Sequence, residues 1–348
     1  MWDVFCRVID NHGDAGVCWR LAAALAARGQ AVRLVIDDAA PLSWMAPGGT
    51  PGVSVLPWPG PAEAGDVVIE AFGCDPPEAF VQAMAHRAVP PVWINLEYLS
   101  AEDWVERAHG LLSPHASGLR KWFLFPGFTP QTLGLICEPG LPEARAAFDG
   151  RAWLSARGWG PAEGERSVLL FAYHLPSAPG AAAAWLAGLA ARPTRLLVPP
   201  GPLQQALQGL ALPAGLRLTA LPFVPQTEFD HLLWSADLAF VRGEDSLVRA
   251  LWSGTPFVWQ AYPQHDGVHH GKVEAMLHQL ALPPAVAACW RSWNSAPDAE
   301  LATLPADTNA WRPAFEATRQ RLQAGPELVQ GLLRFVQQHG AGTGVSPS

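Results

Sequence analysis

The chain is short of charge, and shorter still of positive charge. Lys and Arg total 23 against 31 Asp and Glu, a formal net charge of −8 over 348 residues. That deficit argues against nucleic acid or an anionic membrane surface as the partner, and it suits a basic protein surface. No apolar run is long enough to span a bilayer. The opening residues, Met1 to Arg7, lack the basic region and apolar core of a secretory signal, so a cytoplasmic location is expected. Cysteine is scarce, and its number is odd: Cys6, Cys18, Cys74, Cys137 and Cys289. None of them has the close spacing of a zinc site. Buried free thiols in a reducing compartment are the expectation. The dinucleotide fingerprint Gly-x-Gly-x-x-Gly is missing after the first strand-like run, and no internal repeat is visible.

What is present is core material. Hydrophobic residues make up 49% of the chain, and the length suggests about two domains. Trp2 to Ile9 reads as a strand, Asp10 to Asp14 as a loop with strong turn chemistry, Gly16 to Arg28 as a helix and Ala31 to Ile36 as a strand. This is a βαβ unit, whose strands should run parallel with a right-handed crossover. Further strands are expected at Val53 to Leu56, Asp66 to Phe72 and Val92 to Leu96, with helices at Phe80 to His86 and Ala101 to Ala108. Phe123 to Pro130 reads as an aromatic, turn-rich loop. A composition shift to Pro, Gly and Ala between Glu138 and Glu165 marks a domain boundary, with a helical piece at Ala144 to Leu154.

A second βα series follows. Its strands are expected at Ser167 to Ala172, Thr194 to Val198, Leu216 to Leu221, Asp237 to Val241 and Phe257 to Ala261. Helices are expected at Gly180 to Ala191, Leu203 to Leu210, Glu228 to Ser235 and Lys272 to Leu280, and one or two more between Arg312 and His339. Two such series imply an α/β fold of two doubly wound domains facing each other across a cleft. The expected bounds are 1–155 and 166–324, with a helix at about 325–340 packing back on the first domain.

The second series turns on one stretch, Asp237 to Gly254. A buried strand ends there, a helix begins near Leu247, and Ser246 or Asp245 is the expected N-cap. Arg242, Gly243, Glu244 and Asp245 then occupy the strand-to-helix turn, the edge where open α/β sheets bind ligands. Helix N-terminal N–H groups and the Arg242 guanidinium suit a phosphate. The acids Glu244 and Asp245 suit hydroxyls of the same ligand, which together suggest a nucleotide sugar. A capped turn with a surface ion pair is the plain alternative. Tyr173 and Phe223 each follow a strand and offer flat faces to a base, and core packing fits Phe223 better than Tyr173. Gln226 can pair with a pyrimidine edge. Asp14 reads as the N-cap of the first helix, and it could cap and also project into the cleft. Asp10 reads as a loop support. His265, Asp266, His269 and His270 form the only His cluster, for which a loop at the cleft mouth outweighs a metal site. Lys272 could instead reach a phosphate.

Asp10-Asn-His-Gly-Asp-Ala-Gly-Val-Cys-Trp-Arg-Leu-Ala resembles the N-terminal motif of the EarP family. Pro222-Phe-Val-Pro-Gln, Phe240-Val-Arg-Gly-Glu-Asp-Ser and Pro256-Phe-Val-Trp-Gln-Ala-Tyr-Pro-Gln are similar to its C-terminal motifs, in the same order. These are protein-arginine rhamnosyltransferases acting on translation elongation factor P. The resemblance implies a GT-B fold, dTDP-β-L-rhamnose as donor, and an arginine at a loop tip of elongation factor P as acceptor. It also implies inversion at the anomeric carbon, with no metal or other cofactor. It places the catalytic carboxylates on Asp14 and Glu244. Substrate-binding positions fall on Asn11, His12, Gly13, Asp14, Tyr173, Phe223, Val224, Pro225, Gln226, Arg242, Gly243, Glu244, Asp245 and Ser246. Two features depart from the family pattern: His12 stands where a Tyr or Phe is expected, and Gln264 to His270 is less acidic than usual. Three rival readings remain open: a glycosyltransferase with another acceptor, a sugar-nucleotide epimerase, and a non-catalytic nucleotide-sugar-binding protein.

Overall fold

The structure is a computed structural model that describes residues 1–9, 12–176, 180–264, 267–294 and 308–340. The chain divides into two compact units: Met1–Pro139 together with the chain from Ala324 onward, and Gly140–Gln323.

The first unit contains β1 (Trp2–Cys6), α1 (Gly13–Ala26), β2 (Val32–Ile36), α2 (Leu42–Met45), β3 (Val53–Pro57), β4 (Val67–Ala71), α3 (Glu78–Ala85), β5 (Val92–Leu96), α4 (Trp104–Ala108), β6 (Leu111–Pro114) and β7 (Arg120–Leu124). The seven strands lie in the order β3-β2-β1-β4-β5-β7-β6. All pairs are parallel except the β6–β7 hairpin at the edge. Every residue of β1, β4 and β5 is buried, as expected of parallel strands covered on both faces. The loop expected over Phe123 to Pro130 begins inside β7, which takes in Phe123 and Leu124.

The second unit contains α5 (Leu141–Ala146), α6 (Gly150–Ala156), β8 (Arg166–Leu170), α7 (Ala181–Ala190), β9 (Thr194–Val198), α8 (Pro202–Gln208), β10 (Leu216–Ala220), α9 (Gln226–Ser235), β11 (Leu238–Arg242), α10 (Gly243–Ser253), β12 (Phe257–Gln260), α11 (Val268–Leu280), α12 (Pro284–Trp293) and α13 (Arg312–Gln323). Its five strands, all parallel, run β10-β9-β8-β11-β12. Residues 140–155, expected in the first domain, belong to this unit. Phe148 stacks on His231 of α9 at 4.4 Å. Arg145 donates to Glu316 of α13 at 3.0 Å and also to the Ser253 carbonyl. A buried ion pair joins α10 to α9: Arg249, 1% exposed, donates to both oxygens of Asp230 at 2.7 and 2.8 Å.

The last helix, α14 (Leu328–His339), rejoins the first unit. Glu327 caps it by accepting from the Val329 and Gln330 amides, and it also pairs with Arg28, in the turn just past α1, at 2.9 Å. The chain can return this closely because residue 134 is glycine. At φ +83°, a Cβ there would sit 1.9 Å from the Pro326 oxygen.

In both sheets the first strand is the switch point. Connections leave β1 toward β2 on one side and reach β4 on the other. In the second sheet, β8 stands likewise between β9 and β11. The carboxyl ends of these strands are where doubly wound sheets bind ligands.

Candidate active site

In the first unit, the β1–α1 connection delivers Asp14. The helix begins three residues before the expected Gly16, with His12 at the N-cap position and no side-chain cap bond. Asp14 is therefore not the N-cap but the second helical residue. Its carboxylate is buried and turned back toward the strand end. Oδ2 accepts from the Ile9 amide at 2.8 Å, and Oδ1 accepts from the Tyr98 hydroxyl at 3.1 Å. An anion in the first turn also meets the positive end of the helix dipole. β1 stops at Cys6 rather than Ile9, and the Ile9 amide serves the carboxylate. His12 packs edge-on against Trp44 at 5.8 Å, and Gly13 opens the helix. Asn11 and Asp10 lie outside the described residues.

Behind Asp14 sits a thiol cluster. Cys6, Cys18 and Cys74 are buried and free, as is Cys289, while Cys137 is half-buried. Cys74 donates to the Phe5 carbonyl at 3.3 Å, and burial pushes its thiol up to about 12. Cys18 is pushed well above its ordinary range, first by its hydrogen bond with Cys6 and then by burial. These thiols are inert packing groups under the site.

In the second unit, β11 passes into α10 with no loop between them. Arg242 is at once the last strand residue and the helix N-cap. The helix starts at Gly243, so neither Ser246 nor Asp245 is the N-cap. Ser246 lies in the first turn, buried. Its hydroxyl accepts from the Arg242 amide at 3.0 Å and donates to the Arg242 carbonyl. That reciprocal pair locks the strand-to-helix joint.

The Arg242 guanidinium lies 4.5 Å from the Phe171 ring centroid and 4.7 Å from that of Tyr173, and Nη1 donates to the Ala172 carbonyl at 3.4 Å. Two ring faces at the end of β8 therefore fix a cation at the end of β11. Gly243, at φ +64°, is required here, because a Cβ would lie 2.9 Å from the Tyr173 hydroxyl. The Gly243 carbonyl accepts from Trp259 Nε1 at 2.8 Å. Tyr173 is held from the other side, where its amide donates to Gln260 Oε1 at 2.7 Å and its ring meets Tyr262 edge-on at 5.4 Å. Phe171, Trp259 and Gln260 carry no local sign of these contacts in the sequence, although Trp259 and Gln260 fall inside the Pro256 to Gln264 motif.

Glu244 and Asp245 fill the first turn of α10 and are half-buried. Phe223 is 53% exposed, so core packing does not account for it. Val224 and Pro225 lead into α9, and Gln226 is its buried first residue. The Asp230–Arg249 pair then ties α9 to α10. Tyr173, Arg242, Gly243 and Ser246 are brought into direct contact, whereas Asp14 and Glu244 belong to different units.

His265 and Asp266 lie outside the described residues. His269 and His270 sit in the first turn of α11 with rings 4.1 Å apart, and Lys272 is exposed on the same helix. His269 Nδ1 accepts from the Gln264 amide at 3.2 Å. Among the described residues, no group of three or more His, Cys, Asp or Glu is placed to hold a metal ion, and no helix is long and apolar enough to cross a membrane.

The model of the family described as elongation-factor P (EF-P) rhamnosyltransferase EarP matches residues 2–337. A protein-arginine rhamnosyltransferase of Pseudomonas putida is 42% identical, over 96% of this chain and 98% of its own length. A solved structure addressing EarP-mediated arginine glycosylation of translation elongation factor EF-P is similar at TM-score 0.65 and 29% identity. The match covers 97% of this chain and 99% of that one. The glycosyltransferase SnogD of Streptomyces nogalater shares the fold alone, at TM-score 0.55 and 15% identity over 98% and 99% of the two chains. Two parallel α/β sheets with ligand-ready switch points are the architecture of GT-B glycosyltransferases, and the chain belongs to the EarP family within it.

Proposed function

We propose that the protein transfers L-rhamnose from dTDP-β-L-rhamnose to an arginine side chain of translation elongation factor P, in the cytoplasm, with inversion at the anomeric carbon. The names of its relatives and the subject of the related solved structure support the sugar and the acceptor. The observation that carries the chemistry is Asp14, a buried carboxylate anchored at both oxygens on the switch point of the first sheet.

The acceptor is a difficult nucleophile, because a guanidinium stays protonated far above neutral pH and its lone pairs are delocalised. A fixed carboxylate binds it in the charged form and takes a proton as the N–C1 bond forms. The bond from C1 to the diphosphate oxygen breaks in the same displacement, and the pair of electrons leaves with dTDP. Attack opposite the leaving group inverts the carbon, as in inverting glycoside chemistry. The leaving diphosphate needs charge stabilisation rather than protonation. In this assignment Arg242 and the first-turn N–H groups of α10 supply it. Tyr173 and Phe223 offer ring faces to the thymine, Gln226 offers amide hydrogen bonds, and Glu244 and Asp245 engage sugar hydroxyls. No step calls for a metal or cofactor.

Incubation of elongation factor P with this protein and dTDP-rhamnose, read by intact mass, tests the proposal. One added deoxyhexose on one arginine is expected. Consumption of donor without acceptor would indicate an epimerase instead. Donor binding without turnover would indicate a regulator. Transfer to another acceptor alone would keep the enzyme class and overturn the partner.

A further inference from the structure

We propose that Tyr98, held in place by Phe72, is a positioning residue that fixes the plane of the Asp14 carboxylate for proton transfer. The inference rests on the reading of Asp14 as the base. A carboxylate anchored at one oxygen still turns about its last torsion, whereas one anchored at both oxygens from two different elements does not. Asp14 has the second arrangement. The Ile9 amide holds Oδ2 from the connection after β1, and the Tyr98 hydroxyl holds Oδ1 from the loop after β5.

Tyr98 is 43% exposed, so ordinary burial does not fix its ring. Phe72 supplies the constraint. The two rings stack at 4.1 Å and 6°. To reach that position Phe72 adopts φ +59°, a left-handed conformation that bulky residues avoid. The strain is held by β5: the Phe72 amide donates to the Leu96 carbonyl at 2.8 Å, and the next amide, Gly73, donates to Asn95 Oδ1 at 3.1 Å. A strained residue whose product is one oriented ring beside an anchored carboxylate points to function rather than to packing. Turns after both strands that flank the switch point on that side, β4 and β5, thus serve the residue delivered after β1.

Kinetics of the full chain with elongation factor P and dTDP-rhamnose test this. Tyr98→Phe keeps the ring stack and removes only the hydroxyl. Its kcat is expected to fall about tenfold, the loss of one hydrogen bond to an ion. Donor KM should stay unchanged while kcat falls, a split that general destabilisation would not give. In the Asp14→Asn background the same substitution should have no further effect on kcat, because the two groups act as one unit. Phe72→Leu should reproduce the kcat loss while leaving the hydroxyl in place. Unchanged kcat in Tyr98→Phe, with Asp14→Asn impaired, would overturn the positioning role and leave the base intact. Additive losses in the double variant would also overturn it. Normal turnover in Asp14→Asn itself would overturn both readings.

Discussion

Replacing Asp14 with Asn separates binding from chemistry, and the surroundings of the carboxylate say what each should cost. Asn has one acceptor oxygen and one amide donor where Asp has two acceptors. The Ile9 N–H can only donate, so it claims the Asn oxygen. The Tyr98 hydroxyl both donates and accepts, so it can turn to receive the Asn amide. Both anchors, now at 2.8 and 3.1 Å, therefore have a partner after substitution, and the loop should keep its shape. What is lost structurally is an anion in the first turn of α1, worth about 0.3–1 kcal/mol. For a protein of this size that corresponds to a melting shift of roughly 1–4 °C. The chemical loss is larger. Asn cannot accept a proton at neutral pH and brings no charge to a guanidinium, so transfer should slow at least ~100-fold. Single-turnover sampling by intact mass gives the rate, and calorimetry with dTDP, whose proposed site lies in the other unit, should give unchanged affinity. Near-normal turnover would refute the assignment and make Glu244, then Asp10, the next candidate for the base. A melting loss far beyond the helix-dipole term would refute the hydrogen-bond exchange.

Arg242→Ala should strongly weaken dTDP binding in calorimetry, and Arg242→Lys should restore only part of it, because an ammonium does not stack between Phe171 and Tyr173 as a planar guanidinium does. Gly243→Ala should lower donor affinity by pushing the Tyr173 hydroxyl from a point 2.9 Å from the new Cβ, and Gly243→Ala paired with Tyr173→Phe should recover part of it. Arg249→Ala leaves Asp230 charged and buried, so urea denaturation should show about 3–5 kcal/mol of lost stability; a loss under about 1 kcal/mol would mean the pair is solvated. Glu316 is held below its ordinary range first by its hydrogen bond from Arg319 and then by the charge of Arg145. A depressed folded value means that its contribution is present above the unfolded value and is lost as the pH falls through the folded one. Stability curves below pH 4.5 should therefore flatten in Glu316→Gln relative to the parent chain.

Where burial dictates the residue pattern, the sequence is legible. Val92 to Leu96 and Thr194 to Val198 are strands at the bounds their apolar runs suggest, because strands covered on both faces need continuous Val, Ile and Leu. The helix starts at the site are less legible. Gly13 and Asp14, like Gly243, Glu244 and Asp245, carry turn chemistry and yet are helical. Local propensity marks such residues as turn, and tertiary contacts of Asp14 and Arg242 override it. β6 and β7 escape notice because the hairpin lies at an edge and alternates weakly. Tyr98 carries no local signal at all. Its meaning is a hydroxyl contact with a residue 84 positions earlier, and Gln260 likewise acts on an amide 87 positions away. Arg249 sits in an apolar helix face and reads as an error of patterning until Asp230 is seen beside it. The motifs quoted from the sequence name most of the residues that meet the substrates in the proposed reaction, while the contacts that hold them in place emerge only from the fold.

The proposed reaction makes opposite electrostatic demands on the protein. The nucleophile is a cation that must shed a proton, which calls for an anion. The leaving group is an anion that gains charge, which calls for cations. Side by side and unshielded, a carboxylate and a guanidinium would pair with each other and serve neither demand. The chain puts Asp14 in one unit and Arg242 in the other, and builds different restraints around each. Asp14 is held by hydrogen-bond donors, a backbone amide and a phenol, which suit an anion and bring no full charge of their own. At Arg242 a backbone carbonyl and two ring faces orient the guanidinium. Carboxylates nonetheless occur close to Arg242 in sequence, at Glu244 and Asp245. They occupy the first helical turn, where the dipole favours an anion, and in the proposed reaction their partners are sugar hydroxyls, which need acceptors rather than cations. A charge swap at position 242 should therefore do more harm than removal of the charge. Arg242→Glu would add a third acid to that turn and repel the diphosphate outright, so its dTDP affinity should fall below that of Arg242→Ala. Equal affinities in the two variants would mean that the ring stack, and not the charge, is what the donor recognises.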